Sequence, residues 1–253
     1  MLIIYILGVG LRPQNADAKI DSQMFVLKKN DINKTPTNEG KDNVGEGELN
    51  ADYAARMSKF MAVYNDAVGS GYTPFDKSTL GVCKEFPYGF LATKDGGEIT
   101  PPAPCIFIKF NKIWGWDPKE LPPLSEDPRF TAEIDDPDRF PQAVIDKYNA
   151  NGAGKKDIIV NCDGRYAADK EALSNMEYFP SNQVISADYF PYMGGKEISG
   201  NNYHSPLVAI KITPTDQTIG QLIHVECRAY YFEVEHNTKD KMGLVQFEVL
   251  IKE

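Results

Sequence analysis

Hydrophobic and polar positions follow two different periods along this chain, and the first of them is helical. Between residues 49 and 64, apolar side chains recur every three or four positions, which predicts one amphipathic helix. Its apolar stripe consists of Leu49, Tyr53, Met57, Phe60, Met61 and Tyr64. Asn50 is a candidate helix cap, and Gly69-Ser70-Gly71 is a candidate end. We expect the stripe to pack against a sheet.

After Pro74 the pattern becomes that of β-strands. Residues 106–111 are largely apolar on both faces, which predicts a central strand. Further strands are predicted at 158–160, 207–212, 221–235 and 245–251, and the last two alternate between apolar and polar positions. Their apolar faces carry Ile223, Val225, Cys227 and Ala229 in one strand, and Val245, Phe247, Val249 and Ile251 in the other. Several strands without long intervening helices favour an antiparallel sandwich.

A proline- and aspartate-rich connection occupies residues 117–141. Because proline has no backbone N–H to donate to a ladder, this stretch is predicted to stay outside the sheets. Residues 143–148 are predicted to add a short helical turn. No internal repeat interrupts the pattern.

The first fifty residues are harder to place. Residues 1–11 are apolar, but as a helix they would span only about 16 Å, half of a bilayer core. Three interpretations are open: a signal peptide without a basic start, a buried strand, or the exoplasmic end of a transmembrane helix. Residues 12–48 are polar and are predicted to form an extended arm and loop. This arm contains one N-x-S/T motif, which makes Asn33 a candidate glycosylation site.

Charge and composition exclude several functions. The chain has 253 residues and a net charge of −9, which argues against a nucleic-acid partner because phosphate binding needs clustered Lys and Arg. The three histidines are scattered and no C-x-x-C pair occurs, so no metal site is predicted. Nucleophile-elbow, phosphate-loop and dinucleotide motifs are also missing from the sequence. We therefore expect a protein that is not an enzyme and has no cofactor.

Four cysteines, Cys83, Cys105, Cys162 and Cys227, suggest a disulfide-stapled protein from an oxidising compartment. Their positions form two natural pairs, Cys83 with Cys105 and Cys162 with Cys227. Four cysteines allow three connectivities, however, and spacing alone does not choose between them.

Several motifs, in the same order, resemble those of the beta subunits of sodium/potassium- and proton/potassium-transporting ATPases. The first is the stretch Pro104-Cys105-Ile106-Phe107-Ile108-Lys109-Phe110-Asn111-Lys112-Ile113-Trp114-Gly115-Trp116. The others are Tyr189-Phe190-Pro191-Tyr192, Pro206-Leu207-Val208-Ala209, Glu226-Cys227-Arg228-Ala229-Tyr230 and the strand at 243–251. The resemblance covers roughly residues 49–253.

The resemblance implies a non-catalytic accessory subunit at the plasma membrane, with a single membrane span and a cytoplasmic N-terminus. It implies a mainly β fold, with an Ig-like antiparallel β-sandwich ectodomain and one packed helix from residue 49 onward, preceded by the remnant of a transmembrane helix at 1–11 and the arm at 12–48. The ectodomain would be glycosylated and would bind a catalytic alpha subunit from the extracellular side, supporting its assembly, membrane delivery and potassium transport. Disulfides Cys83–Cys105 and Cys162–Cys227 are implied. The implied partner-binding residues are Tyr189, Phe190, Pro191, Tyr192 and Lys196.

Three departures from the family pattern keep an alternative open. The chain lacks the family's first disulfide pair, Met193-Gly194-Gly195 alters the aromatic turn, and the membrane segment is incomplete. The 56 residues between Cys105 and Cys162 are also more than the family pattern leads us to expect. The alternative is a beta-like ectodomain that acts in cell adhesion or junction formation without a pump.

Overall fold

A computed structural model describes residues 4–7, 23–32, 50–133, 139–150, 154, 156–194, 202–239 and 242–253. The strands are β1 (Ile4–Leu7), β2 (Gln23–Lys28), β3 (Thr93–Asp95), β4 (Glu98–Thr100), β5 (Cys105–Phe110), β6 (Ile158–Gly164), β7 (Met176–Phe179), β8 (Val184–Ile185), β9 (Leu207–Ile212), β10 (Leu222–Tyr230) and β11 (Leu244–Lys252). The α-helices are α1 (Asn50–Ala62), α2 (Pro128–Thr131), α3 (Gln142–Asn149) and α4 (Ala167–Ala172). Short 3-10 helices lie at Val63–Asn65, Lys77–Lys84 and Ala187–Tyr189.

Two sheets share one hydrophobic core. The first has the strand order β1-β5-β9-β7, and the second has the order β2-β11-β10-β6-β8. Strands β3 and β4 form a separate hairpin. Side chains from both sheets and from α1 meet in one buried cluster, for example Phe107, Phe247 and Met57. The prediction of a mainly β chain is confirmed, with one parallel pair, β2 and β11, in place of a purely antiparallel arrangement.

The central strand and the two alternating strands lie where the sequence predicts them. Strand β5 pairs with β1 on one side and β9 on the other, and Ile106, Phe107 and Ile108 are fully buried. In β10 and β11 the predicted apolar faces are buried. Strand β10 ends at Tyr230, five residues earlier than predicted. The carbonyls of Tyr231 and Phe232 accept hydrogen bonds from the Arg129 guanidinium of α2 instead of joining a ladder.

Strand β2 lies in the stretch that was predicted to be an extended arm and loop, and this prediction was wrong for Gln23–Lys28. Four consecutive apolar residues are too few to show a period, so the strand leaves no clear sequence signal. Phe25 and Leu27 are nevertheless fully buried. The ring of Phe25 lies 5.9 Å from that of Tyr53 and 6.0 Å from that of Phe247, so β2 completes the core between α1 and β11.

Helix α1 covers the outer edge of β2 with two polar side chains. The Tyr53 hydroxyl accepts a hydrogen bond from the Val26 N–H at 3.1 Å. Asn50, predicted as a helix cap, instead accepts from the Lys28 N–H at 2.8 Å through Oδ1 and donates from Nδ2 to the Lys28 carbonyl at 2.9 Å. The predicted apolar stripe is confirmed at Tyr53, Met57, Met61 and Tyr64, which are buried, while Phe60 is half-buried. Leu49 lies outside the described residues. The helix ends at Ala62, earlier than Gly69.

The N-terminal apolar segment contains a strand in its described part. Ile4–Leu7 pair antiparallel with β5, where the family resemblance implied the end of a membrane helix. Three of these four residues are β-branched or aromatic, which suits a strand position beside β5. Among the described residues, no helix has both the length and the apolar character that a membrane crossing requires.

The proline-rich connection builds a second, smaller core on the outer side of the second sheet. Helix α3 spans Gln142–Asn149 and is longer than the predicted turn. This core consists of Leu121, Phe130, Phe140, Val144, Ile145, Tyr148, Ile159 and Tyr230. The guanidinium of Arg129 binds the buried carboxylate of Asp127, and this hydrogen bonding lowers the pKa of Asp127. With α2, α3 and α4, the chain carries more helix than the single packed helix that was expected.

Both disulfides follow the pairing that the family resemblance implies. Cys83 bonds to Cys105, which ties the 3-10 helix Lys77–Lys84 to the start of β5. Cys162 bonds to Cys227 across the neighbouring strands β6 and β10, where the two residues are directly opposite each other with their Cα atoms 3.9 Å apart. The second bridge therefore lies within one sheet and does not join the two sheets.

A tyrosine from the first sheet completes the hydrogen bonding of β6 in the second. Strand β8 pairs with β6 only at Ile158 and Ile159. Further along, the hydroxyl of Tyr178 in β7 accepts from the Cys162 N–H at 2.8 Å and donates to the Cys162 carbonyl at 3.0 Å. Burial raises the pKa of Tyr178, which keeps the donated proton in place.

We expect Tyr178→Phe to lower the free energy of unfolding by about 1–3 kcal/mol, because the buried N–H and carbonyl of Cys162 lose their partner. Urea denaturation followed by circular dichroism measures the change. Tyr192→Phe is the control and should change stability by no more than about 0.5 kcal/mol, since its hydroxyl makes no hydrogen bond within the described residues. Equal stability of the two variants would show that the Tyr178 hydroxyl does not support β6.

Candidate partner-binding face

The predicted partner-binding turn is divided between the core and the surface. The half-buried Tyr189 has its ring 5.7 Å from that of Phe75, and burial raises its pKa. The ring of Phe190 meets that of Trp116 edge-on at 5.1 Å. These two residues pack against the main core, so their first role is to fix the turn.

Tyr192 is half-buried, as is Pro191, but it is not among the residues that pack against the main core. Its carbonyl accepts a hydrogen bond from the Gly115 N–H at 2.8 Å, which holds the turn beside Trp114. Gly115 has a φ of 66°, a left-handed conformation that glycine adopts without strain. The ring of Tyr192 lies 5.1 Å from that of Tyr203.

A distant tyrosine fastens the other end of the turn. The Tyr72 hydroxyl accepts a hydrogen bond from the Met193 N–H at 3.0 Å and donates to the Gly194 carbonyl at 2.9 Å. The ring of Tyr72 lies 5.0 Å from that of Tyr203. This end of the turn is therefore held by a residue more than one hundred positions away in sequence.

These segments together form a continuous surface that we call the aromatic face. It consists of Tyr72, Lys112, Trp114, Tyr192 and Met193, together with the buried ring of Tyr203, which contacts those of Tyr72 and Tyr192. Trp114 is 57% exposed and Met193 is 46% exposed, which is unusual for such large apolar side chains. The Lys112 Nζ lies 5.5 Å from the centre of the Tyr192 ring and 5.8 Å from that of Tyr203.

Sequence reasoning identified only part of this face. It identified Tyr192 but gave no role to Tyr72, Tyr203 or Lys112, because the fold brings these residues together from separate segments. Trp114 was noted within the motif of β5 but not as an exposed ring. Lys196 and Asn33 lie outside the described residues. Within the described part of the chain, no group of three or more His, Cys, Asp or Glu side chains is arranged to hold a metal ion.

Comparison with known proteins assigns the family. The model of the family described as "Sodium / potassium ATPase beta chain" matches residues 72–247, which is more than half of the chain. The chain therefore belongs to the sodium/potassium ATPase beta chain family.

Three relatives illustrate the degree of similarity. The chain is 31% identical to sodium/potassium-transporting ATPase subunit beta-1 of Drosophila melanogaster over 150 residues, covering 58% of this chain and 42% of the relative. It is 26% identical to the probable subunit beta-3 of Caenorhabditis briggsae over 179 residues, covering 71% and 43%. It is 26% identical to subunit beta-2 of Homo sapiens over 233 residues, covering 83% and 66%. The matches span less than half the length of the first two relatives.

Proposed function

We propose that this chain is a non-catalytic accessory (beta) subunit of a P-type cation-transporting ATPase. In this proposal it binds the catalytic alpha subunit from the extracellular side through the aromatic face, and it supports assembly, delivery to the plasma membrane and potassium transport. The observation that carries the proposal is the exposure of Trp114 and Met193 beside a turn that the fold holds in place at both ends.

The physical properties of the aromatic face suit a protein partner. Aromatic rings supply large contact areas at a low cost in side-chain entropy, and they are enriched among the residues that dominate binding energy. The backbone of the turn is already bonded to Gly115 and Tyr72, so little further ordering is needed on binding. The surface is therefore preorganised for a contact of high affinity for its size.

The finer features of the proposal follow the family resemblance. They comprise an Ig-like arrangement of the two sheets from residue 49, an extracellular ectodomain, a sugar on Asn33 in the arm at 12–48, and a single transmembrane helix. Ile4–Leu7 do not belong to that helix, because these residues form β1. Two disulfides support an oxidising, extracellular location.

Co-purification with a catalytic subunit tests the proposal. The full-length protein is co-expressed with a P-type ATPase alpha subunit and recovered in mild detergent. We expect Trp114→Ala and Tyr192→Ala to lower recovery at least about tenfold, as for central interface residues. Tyr166→Ala, which removes an aromatic side chain that is 55% exposed on another part of the surface, is the matched control and should leave recovery unchanged.

The outcome distinguishes the two hypotheses. Recovery of the protein without any alpha subunit would overturn the pump hypothesis and leave the adhesion alternative. Equal recovery for Trp114→Ala, Tyr192→Ala and Tyr166→Ala would retain the subunit role but move the contact away from the aromatic face. Tyr189→Ala is a poor test, because its ring packs against Phe75 and its loss also disturbs the core.

A further inference from the structure

Two lysines, Lys112 of the aromatic face and Lys109 near the end of β5, differ from Lys211 in the next strand of the sheet. Lys109 is half-buried and Lys112 is more exposed, and neither forms an ion pair or side-chain hydrogen bond within the described residues. Lys211 of the neighbouring strand β9 is also partly buried, yet its ammonium pairs with Glu177 at 2.8 Å. In a protein with a net charge of −9, these two neighbouring cations have no acidic partner among the described residues.

The surroundings of the two ammonium groups are aromatic instead of acidic. The Lys109 Nζ lies 5.6 Å from the centre of the Phe60 ring, and the Lys112 Nζ lies over Tyr192 and Tyr203. Ring faces attract a cation by about 0.5–2 kcal/mol, which offsets only part of the lost hydration. Burial lowers the pKa of both lysines, and the nearby charge of Lys112 lowers that of Lys109 further.

Binding of an external anion would stabilise the ammonium groups of Lys109 and Lys112. A carboxylate placed near the two ammonium groups would neutralise their mutual repulsion and replace the hydration that burial removes. The exposed Trp114 and Met193 beside Lys112 also need an apolar group to cover them. A polypeptide segment provides both components, whereas a free inorganic anion provides only the charge.

We propose that Lys109 and Lys112 receive Asp or Glu side chains from an acidic segment of the catalytic subunit, whose apolar side chains cover Trp114 and Met193. This inference rests on the proposed function and specifies the chemistry of the same site. The lysines provide charge complementarity and Trp114 provides buried apolar area, so the two groups contribute to binding in different ways.

Salt dependence separates the two contributions. The full-length protein is co-expressed with the alpha subunit, and retention in detergent is measured between 50 and 500 mM NaCl, a range of roughly threefold in screening length. Lys109→Met and Lys112→Met together keep the side-chain volume and remove the charge. We expect this double variant to lose at least about tenfold in retention at low salt and to show a flatter salt dependence. Trp114→Ala should lose retention while keeping the salt dependence of the wild type.

Two further variants and a labelling experiment complete the test. Lys109→Arg with Lys112→Arg keeps the charges and should restore most of the retention. Lys94→Met, on the exposed β3–β4 hairpin, is the matched control and should behave as the wild type. In the unmodified complex, Lys109 and Lys112 should react more slowly with an amine-acylating reagent than in the free chain, while Lys94 reacts equally in both.

Different results would overturn the subunit proposal and the acidic-segment proposal. Wild-type retention by the double Met variant, with an unchanged salt dependence, would overturn the acidic-segment proposal and leave the subunit role standing. Equal acylation of Lys109 in the free chain and in the complex would also overturn it, without depending on the folding of any variant. Absence of the alpha subunit from the wild-type preparation would overturn both proposals.

Discussion

Replacing Cys162 and Cys227 by Ala is expected to lower the free energy of unfolding by about 4 kcal/mol. The bridge closes a loop with a sequence separation of 65. In the chain-entropy model, its removal increases the conformational entropy of the unfolded chain and so stabilises the unfolded state by about this free energy. Cys227 is fully buried between β6 and β11, so the folded state also loses packing. Urea denaturation of the purified variant measures the change in midpoint.

The other disulfide serves as the internal comparison. Cys83 and Cys105 close a shorter loop, with a separation of 22, so replacing both by Ala should cost about 3 kcal/mol. A larger loss for the shorter loop would contradict the entropic account. It would place the main role of the Cys83–Cys105 bridge in fastening the 3-10 helix Lys77–Lys84 to β5.

Phe25→Ala is expected to destabilise the protein by about 3–5 kcal/mol, the usual cost of truncating a fully buried phenylalanine. The cavity would open between Tyr53, Phe90 and Phe247, whose rings surround Phe25. Thermal and urea unfolding measure the effect. This variant tests the placement of β2, the element that the sequence did not predict.

The residue next in sequence provides the control for this variant. Met24 is 39% exposed on the same strand, and Met24→Ala should change stability by no more than about 0.5 kcal/mol. If the two variants were equally stable, Phe25 would not be part of the core, and β2 would not pair with β11 in this register.

The elements that could be predicted are those with a long, uninterrupted period. Strand β11 alternates over nearly its whole length, and α1 repeats its apolar stripe over more than three turns, so burial follows directly from spacing. Strand β2 offers only four apolar residues in a polar stretch, and its partner β11 lies more than two hundred residues away. The end of β10 depends on Arg129, a residue of α2 that no local pattern connects with Tyr231.

The candidate site, too, could be predicted only where a local motif marks it and not where it depends on distant residues. The motif around Tyr189 and Tyr192 identified the turn, but a motif does not distinguish rings that anchor the turn from rings that face a partner. That difference depends on Phe75, Trp116 and Tyr72, which reach the turn from other segments. That Lys109 and Lys112 have no acidic partner in the described part of the chain likewise appears only when the surrounding side chains are in place.

The contact of α1 with β2 has a consequence for self-association. An exposed edge strand is a template on which another chain can add a strand, and growth of this kind leads to aggregation. At the β2 edge, Tyr53 and Asn50 occupy the N–H groups of Val26 and Lys28 and the Lys28 carbonyl, so an incoming backbone finds these three groups already bonded. A strand in the same place would present a new edge of its own, whereas a helix has no outward row of donors and acceptors. Helix α1 therefore ends the second sheet at β2 without offering a new edge to which a further strand could pair.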